Sequence, residues 1–164
     1  MPVNTGAEFS PCRTWRYALW REWGAGPFVS FIGLNPSTAD ETVNDNTVSR
    51  CIKFAEYWGF NGMRMLNIFA FRATDPARMK RAKDPIGPDN DQAILRYLMD
   101  RRNRLIVACW GVHGSHMSRG WEVRKKLLEG WNLKCFGTTK AGAPKHPLYL
   151  PSDAELVEFS NREV

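Results

Sequence analysis

The sequence predicts an α/β fold. The expected form is a three-layer α/β/α sandwich, with a central, mostly parallel four-stranded sheet plus an N-terminal antiparallel edge strand. Three observations carry this. Short apolar runs alternate with stretches of helical spacing, the pattern of βαβ units. One run, Leu105–Trp110 (LIVACW), is continuously apolar, as expected of a parallel strand covered on both faces. Another begins at Phe28, breaks at Gly33 and opens into Asn35-Pro36-Ser37-Thr38. Open α/β sheets bind ligands outside the carboxyl ends of their strands.

Taken in order, residues 1–12 lack periodicity and read as a loose arm preceding a single α/β domain over 13–164. From Arg13 to Trp23, Trp15, Tyr17 and Leu19 recur with a period of two, which predicts a strand. Gly24-Ala25-Gly26-Pro27 is a turn, so this strand and the next, from Phe28, are expected to form an antiparallel hairpin. Val48, Cys51, Ile52 and Ala55 follow helical spacing, with Asp45 or Asn46 as N-cap and Gly59 as the stop. Met63–Phe71 reads as a strand with a tail. Thr74 or Asp75 caps a short helix through Ala82, and 83–90 is a Pro/Gly/Asp linker. A helix is expected over Asp91–Arg102 and another over about Ser115–Glu129. The latter has Met117, Trp121, Leu127 and Leu128 inward, and Arg119, Arg124, Lys125 and Lys126 outward. Leu133–Phe136 is the last strand, followed by a long polar loop, Gly137–Leu150, and a closing helix from Ser152.

Composition sets the broad class. With 43% hydrophobic and 24% charged residues, the 164-residue chain is an ordinary globular one. Its net charge of +6 and its seven Trp and nine Phe make a polyanion with stackable bases a reasonable partner. Cys12, Cys51, Cys109 and Cys135 form no metal-binding spacing, and the last three sit in apolar surroundings as small core residues. No signal peptide or membrane-length apolar run is present, so a cytoplasmic location with reduced thiols is expected. Phosphate-loop and Ser-elbow motifs are absent, which argues against the enzymes built on them. No cofactor, metal or obligate protein partner is expected.

In a parallel sheet the loops after Gly33, Phe71, Trp110 and Phe136 share one edge. That edge collects Asn35, Ser37, Thr38, Asp40, Asn67, Arg72, His113, Lys140, Lys145 and His146. Several loops converging with such residues is the pattern of a site. Each residue also has a plain structural role open to it, as a cap, a turn former or a loop hydrogen bond.

GLNPSTAD, NIFAFRATDP, an apolar strand ending Trp110-Gly111, and HPLYLP together resemble the DUF1643 family, from about Arg16 to Leu150. More distantly, the order resembles the uracil-DNA glycosylase superfamily, notably its mismatch-specific branch. Gly33-Leu34-Asn35-Pro36 is similar to that group's Gly-x-Asn-Pro motif, Asn67 to its base-reading Asn, and His146-Pro147 to its last-loop His-Pro. Two features depart from the pattern. Leu148 stands where Ser usually follows His-Pro, and no aromatic follows the Asn-Pro loop at the usual spacing.

The resemblance implies a nucleobase-processing N-glycosidase acting on a uracil-like or modified base in DNA. Asn35, Asp40 and His146 would be its catalytic residues. Asn35 would hold the water, Asp40 would act as base or oppose the sugar cation, and His146 would donate to the leaving base. Gly33, Leu34, Pro36, Ser37, Thr38, Asn67, Arg72, Leu148 and Tyr149 would meet the substrate, with Leu148 or Tyr149 filling the stack left by a flipped nucleotide. Lys140 and Lys145 would touch DNA phosphates. A non-catalytic nucleic-acid or nucleotide binding protein and a hydrolase of free nucleosides or nucleotides are the alternatives.

Overall fold

The computed structural model describes residues 4–159. Seven strands lie in one sheet: β1 (Asn4–Phe9), β2 (Arg16–Glu22), β3 (Phe28–Gly33), β4 (Gly62–Asn67), β5 (Asn103–Ala108), β6 (Lys134–Cys135) and β7 (Val157–Glu158). Their spatial order is β1-β2-β4-β3-β5-β6-β7. The stretch β4-β3-β5-β6 is parallel, as expected, while β1, β2 and β7 pair antiparallel to their neighbours.

Four α-helices accompany the sheet: α1 (Asn46–Tyr57), α2 (Pro76–Arg81), α3 (Asn90–Leu98) and α4 (Arg119–Glu122). Successive strand residues face opposite sides. Val29 and Phe31 join Val48, Cys51 and Phe54 of α1 in one core. Ile32, Leu66 and Ile106 join Met79, Ile94 and Leu98 of α2 and α3 in the other. Cys51, Cys109 and Cys135 are buried, as their surroundings predict.

The expected hairpin between the first two strands is not formed. β4 lies between β2 and β3, so β2 is neither paired with β3 nor at the edge. Asn61 explains the insertion. Its carbonyl accepts from the Trp23 and Gly24 amides, and its own amide donates to Pro27 O. Its side chain fills the space beside Gly24 and Gly26, where an added Cβ would come within 2.6 and 1.9 Å of it. The turn is threaded by the residue that leads into β4, and the two strands are spread apart.

Residues 4–9 of the expected loose arm form β1, and residues 1–3 lie outside the described residues. This strand is held by its backbone ladder to β2 rather than by an apolar face, so it leaves no hydrophobic period. Gly6 lets the Trp20 ring lie against it, since a Cβ there would stand 2.3 Å from the ring.

Three other expectations are corrected. The long helix over Ser115–Glu129 is broken into a 3₁₀ segment (Val112–Ser118), α4, and a π segment (Val123–Leu127), with Met117 and Ser118 at φ of 58° and 54°. Met117 and Trp121 are exposed rather than inward. Arg119, expected outward, is fully buried: Nε donates to Ile68 O at 2.8 Å, Nη1 to Glu122 at 2.7 Å, and Nη2 to Asp91. In place of a closing helix from Ser152 there is a turn and then β7, an edge strand on β6; residues 160–164 are outside the described residues.

At the end of the sheet where the parallel strands begin, polar groups are mutually satisfied. Glu22, only 7% exposed, accepts from both Arg64 and Arg102. Arg102 also donates to Gly24 O and Gly26 O. Among the described residues no helix is long and apolar enough to cross a membrane.

Candidate functional site

At the opposite end, β3, β4 and β5 finish around a cavity of about 510 Å³, within the usual range for a small-molecule site. Asn35, Asn67 and His146, far apart in sequence, all line it, together with Leu34, Pro36, Ser37, Thr38 and Leu148.

Asn35 follows β3. Its Nδ2 donates to the carbonyls of Pro36 (3.1 Å), Phe71 (3.3 Å) and Ala73 (2.8 Å). All three partners are acceptors, so the amide nitrogen and not the oxygen must face them. Oδ1 has no partner among the described residues and remains an open acceptor. Asn35 thus ties the loop after β3 to the loop after β4, a link reinforced by the Ala73 amide donating to Pro36 O.

Asn67 ends β4, in register with Gly33 on β3. It is 2% exposed, and its Nδ2 is buried with no hydrogen-bond partner. An orphaned amide at this depth costs free energy unless something accepts from it. Its carbonyl and that of Ile68 are held by Nδ2 of Asn90. Gly33 does not line the cavity; it leaves room for Asn67, because a Cβ there would stand 2.9 Å from Asn67 Oδ1.

His146 is carried by the loop after β6. Gly111, at φ 72°, donates its amide to Pro144 O at 2.8 Å and so brings this loop to the end of β5. Arg50 of α1 anchors it further by donating to Leu150 O. The Leu148 amide donates to His146 Nδ1 at 3.2 Å. Nδ1 is therefore an acceptor, and the neutral ring carries its proton on Nε2. Burial pushes the His146 pKa down, partly opposed by the charge of Asp45, so the ring is neutral at pH 7.

The remaining expected residues lie elsewhere. Asp40 does not line the cavity; its Oδ1 accepts from the Thr42 and Val43 amides at 2.9 and 2.8 Å, and these bonds hold its carboxyl below the usual range. The Arg72 guanidinium lies 4.7 Å from the Phe9 ring and donates to Arg13 O, toward the β1–β2 connection. Tyr149 is fully exposed at φ 69°, beside but outside the cavity. Lys140 and Lys145 are exposed and outside the lining. Among the described residues no three His, Cys, Asp or Glu side chains converge as metal ligands.

Residues 16–148 match a family described as "Protein of unknown function (DUF1643)". The chain belongs to the DUF1643 family. No curated protein and no solved structure matches it. The span shared with DUF1643 begins at Arg16 and ends at Leu148, and both residues line the cavity.

Several lining residues of this DUF1643 protein escape sequence reasoning. Arg16 is 2% exposed on β2 and reads as a strand residue of no special interest. Asp45 is legible only as the N-cap of α1, where it accepts from the Val48 amide at 2.9 Å, yet it is the one carboxylate in the lining. Trp110 also lines the cavity, and so does His113, which the sequence does place at this edge; its Nδ1 lies 2.9 Å from Lys80 Nζ. A signal for Arg16 does exist in hindsight: a cation in the alternating pattern of an otherwise apolar strand is unusual unless something satisfies it.

Proposed function

We propose that this protein is a nucleobase-processing N-glycosidase, similar to the uracil-DNA glycosylases, acting on a uracil-like or modified base in DNA. The observation that carries the reading is the meeting of Asn35, Asn67 and His146 around one cavity sized for a flat heterocycle.

In this reading the open Oδ1 of Asn35 accepts a hydrogen bond from the attacking water and holds it near C1′. The unpartnered amide of Asn67 meets the base edge, where a donor and an acceptor side by side match a Watson–Crick face. As the C1′–N bond breaks, its electron pair moves to the base, and the Nε2 proton of neutral His146 hydrogen-bonds the base oxygen on which charge develops. Asp45, which lines the cavity where Asp40 does not, takes in this reading the part of opposing the positive charge on the sugar. Leu148, at the rim, suits the place of an extruded base.

The test is to incubate the protein with single- and double-stranded oligonucleotides holding uracil, hypoxanthine or modified pyrimidines, then cleave abasic sites with alkali. Strand breaks that disappear in Asn67→Ala and His146→Gln support the reading. Binding without breaks across the panel would favour a non-catalytic binding protein. Release of base from free nucleosides alone would favour the small-molecule hydrolase.

A further inference from the structure

The described buried arginines differ in how they are satisfied. Arg64 pairs with Glu22, and Arg119 pairs with Asp91 and Glu122. Arg21 reaches four carbonyls and Asn44 Oδ1. Arg16 is as deeply buried, yet the only hydrogen bond of its guanidinium among the described residues runs from Nη1 to Ala39 O at 3.0 Å, and Nε has no partner. A guanidinium has five N–H donors, so most of this one is unanswered. No described carboxylate lies within ion-pair distance of it.

The surroundings do not neutralise it. Asp45 acts on it through space, but one oxygen of that carboxylate is engaged at the start of α1. Arg21 and Arg72 add positive potential, and burial lowers the Arg16 pKa to about 10, which leaves it charged at pH 7. Asn46 and Thr47, the first residues of the twelve-residue α1, also line the cavity and add the positive end of a helix dipole. A buried, half-answered cation facing a cavity is tolerated when an anion completes it.

We propose that the cavity takes a ligand with a negatively charged oxygen, which sits on the Arg16 guanidinium while the ligand's ring meets Asn67. This rests on the cavity being a nucleobase site, but not on any bond being cleaved. The charged oxygen comes from one of two sources: the ionised carbonyl of the base itself, as in a base leaving as an anion, or a phosphate of a nucleotide.

Calorimetric titration of the whole chain at one neutral pH separates these. The probes are 5-nitrouracil, an anion at that pH, against neutral uracil, and deoxyuridine monophosphate against deoxyuridine. An anionic probe is expected to bind roughly tenfold or more tighter than its neutral counterpart, the size of a charge-assisted hydrogen bond. Preference within the first pair assigns the charge to the base, and within the second to the phosphate.

Arg16→Met is expected to abolish the preference, and Arg16→Lys, which keeps the charge, to retain part of it. The wild-type comparison needs no variant and stands even if Arg16→Met does not fold. Equal affinities within both pairs, no binding of either anionic probe, or a preference that survives intact in a folded Arg16→Met protein would overturn the proposal. A protein that cleaves no oligonucleotide but shows the preference would retire the glycosidase reading and keep this one.

Discussion

Gly33 and Asn67 stand opposite each other on adjacent parallel strands, and the missing side chain of the first makes room for the amide of the second. A Cβ at position 33 would come within 2.9 Å of both Asn67 Oδ1 and Met65 Cε. The Met65 end is flexible and can yield, and the Asn67 amide, whose Nδ2 has no hydrogen-bond partner, is free to rotate away while its backbone stays in the strand. Gly33→Ala is therefore expected to fold, to lose roughly 1–3 kcal/mol as an overpacked core does, and to turn the Asn67 amide. Denaturant unfolding gives the first quantity, and the side-chain amide resonances of Asn67 report the second. Unchanged amide shifts would contradict this account.

Asn35 has a dual position, and its variants should separate the two parts. Nδ2 holds three carbonyls from two loops. Asn35→Ala leaves the Phe71 and Ala73 carbonyls without this donor, while Pro36 O keeps the Ala73 amide, at a cost of about 1–3 kcal/mol for buried groups. Asn35→Asp sets a carboxylate against the same carbonyls and is expected to be worse than Ala, despite its closer shape. The midpoint of urea unfolding ranks them. Asp outperforming Ala would show that the amide nitrogen does not face the loop.

His146 provides a pH signature. Its folded pKa lies below the unfolded value because burial disfavours the imidazolium. Between the two values the unfolded chain binds more protons, so stability rises with pH in that window and the contribution falls away as pH drops toward the folded value. His146→Gln is expected to flatten the acid side of the stability curve below about pH 6.5. Nitrogen NMR at neutral pH should find Nδ1 unprotonated and hydrogen-bonded, with the proton on Nε2. The opposite tautomer would remove the Leu148 amide bond from the description.

Arg119 anchors the broken 112–127 segment to the end of β4 through Ile68 O. Its acidic partners Asp91 and Glu122 are nearly half exposed and can return to water when it is removed, which limits the penalty. Arg119→Met is expected to cost about 2–3 kcal/mol, mainly from the lost charged hydrogen bond to Ile68 O, which then keeps only the donation from Asn90 Nδ2. Thermal unfolding tests this, and a cost near zero would mean that the segment is held by packing alone.

The parallel strands were legible because a doubly covered strand such as Leu105–Trp110 must be apolar throughout. The cavity-facing loops were legible because Gly33, Asn35 and Pro36 interrupt such a run with turn-forming polar residues. The order of β2, β4 and β3 was not, because Asn61 sets it through backbone hydrogen bonds that leave no hydrophobic pattern. β1 was hidden for the same reason. Arg119 was misplaced because helical spacing assigns faces only while the helix is regular, and Met117 and Ser118 break it. Arg16 was missed because β2 runs against its parallel neighbours and brings its first residue, not its last, to the rim where they end.

The contrast between the two ends of the sheet has a mechanical consequence. Around Glu22, Arg64 and Arg102, charge is answered by charge, and that pole is clamped shut. Around Arg16 and Asn67, donors are left open, and the backbone there is held by loop-to-loop contacts. The protein thus has a stiff pole and a soft one. Amide exchange in the empty protein should begin at the soft pole and slow there when an occupant arrives, with the clamped pole as an internal standard.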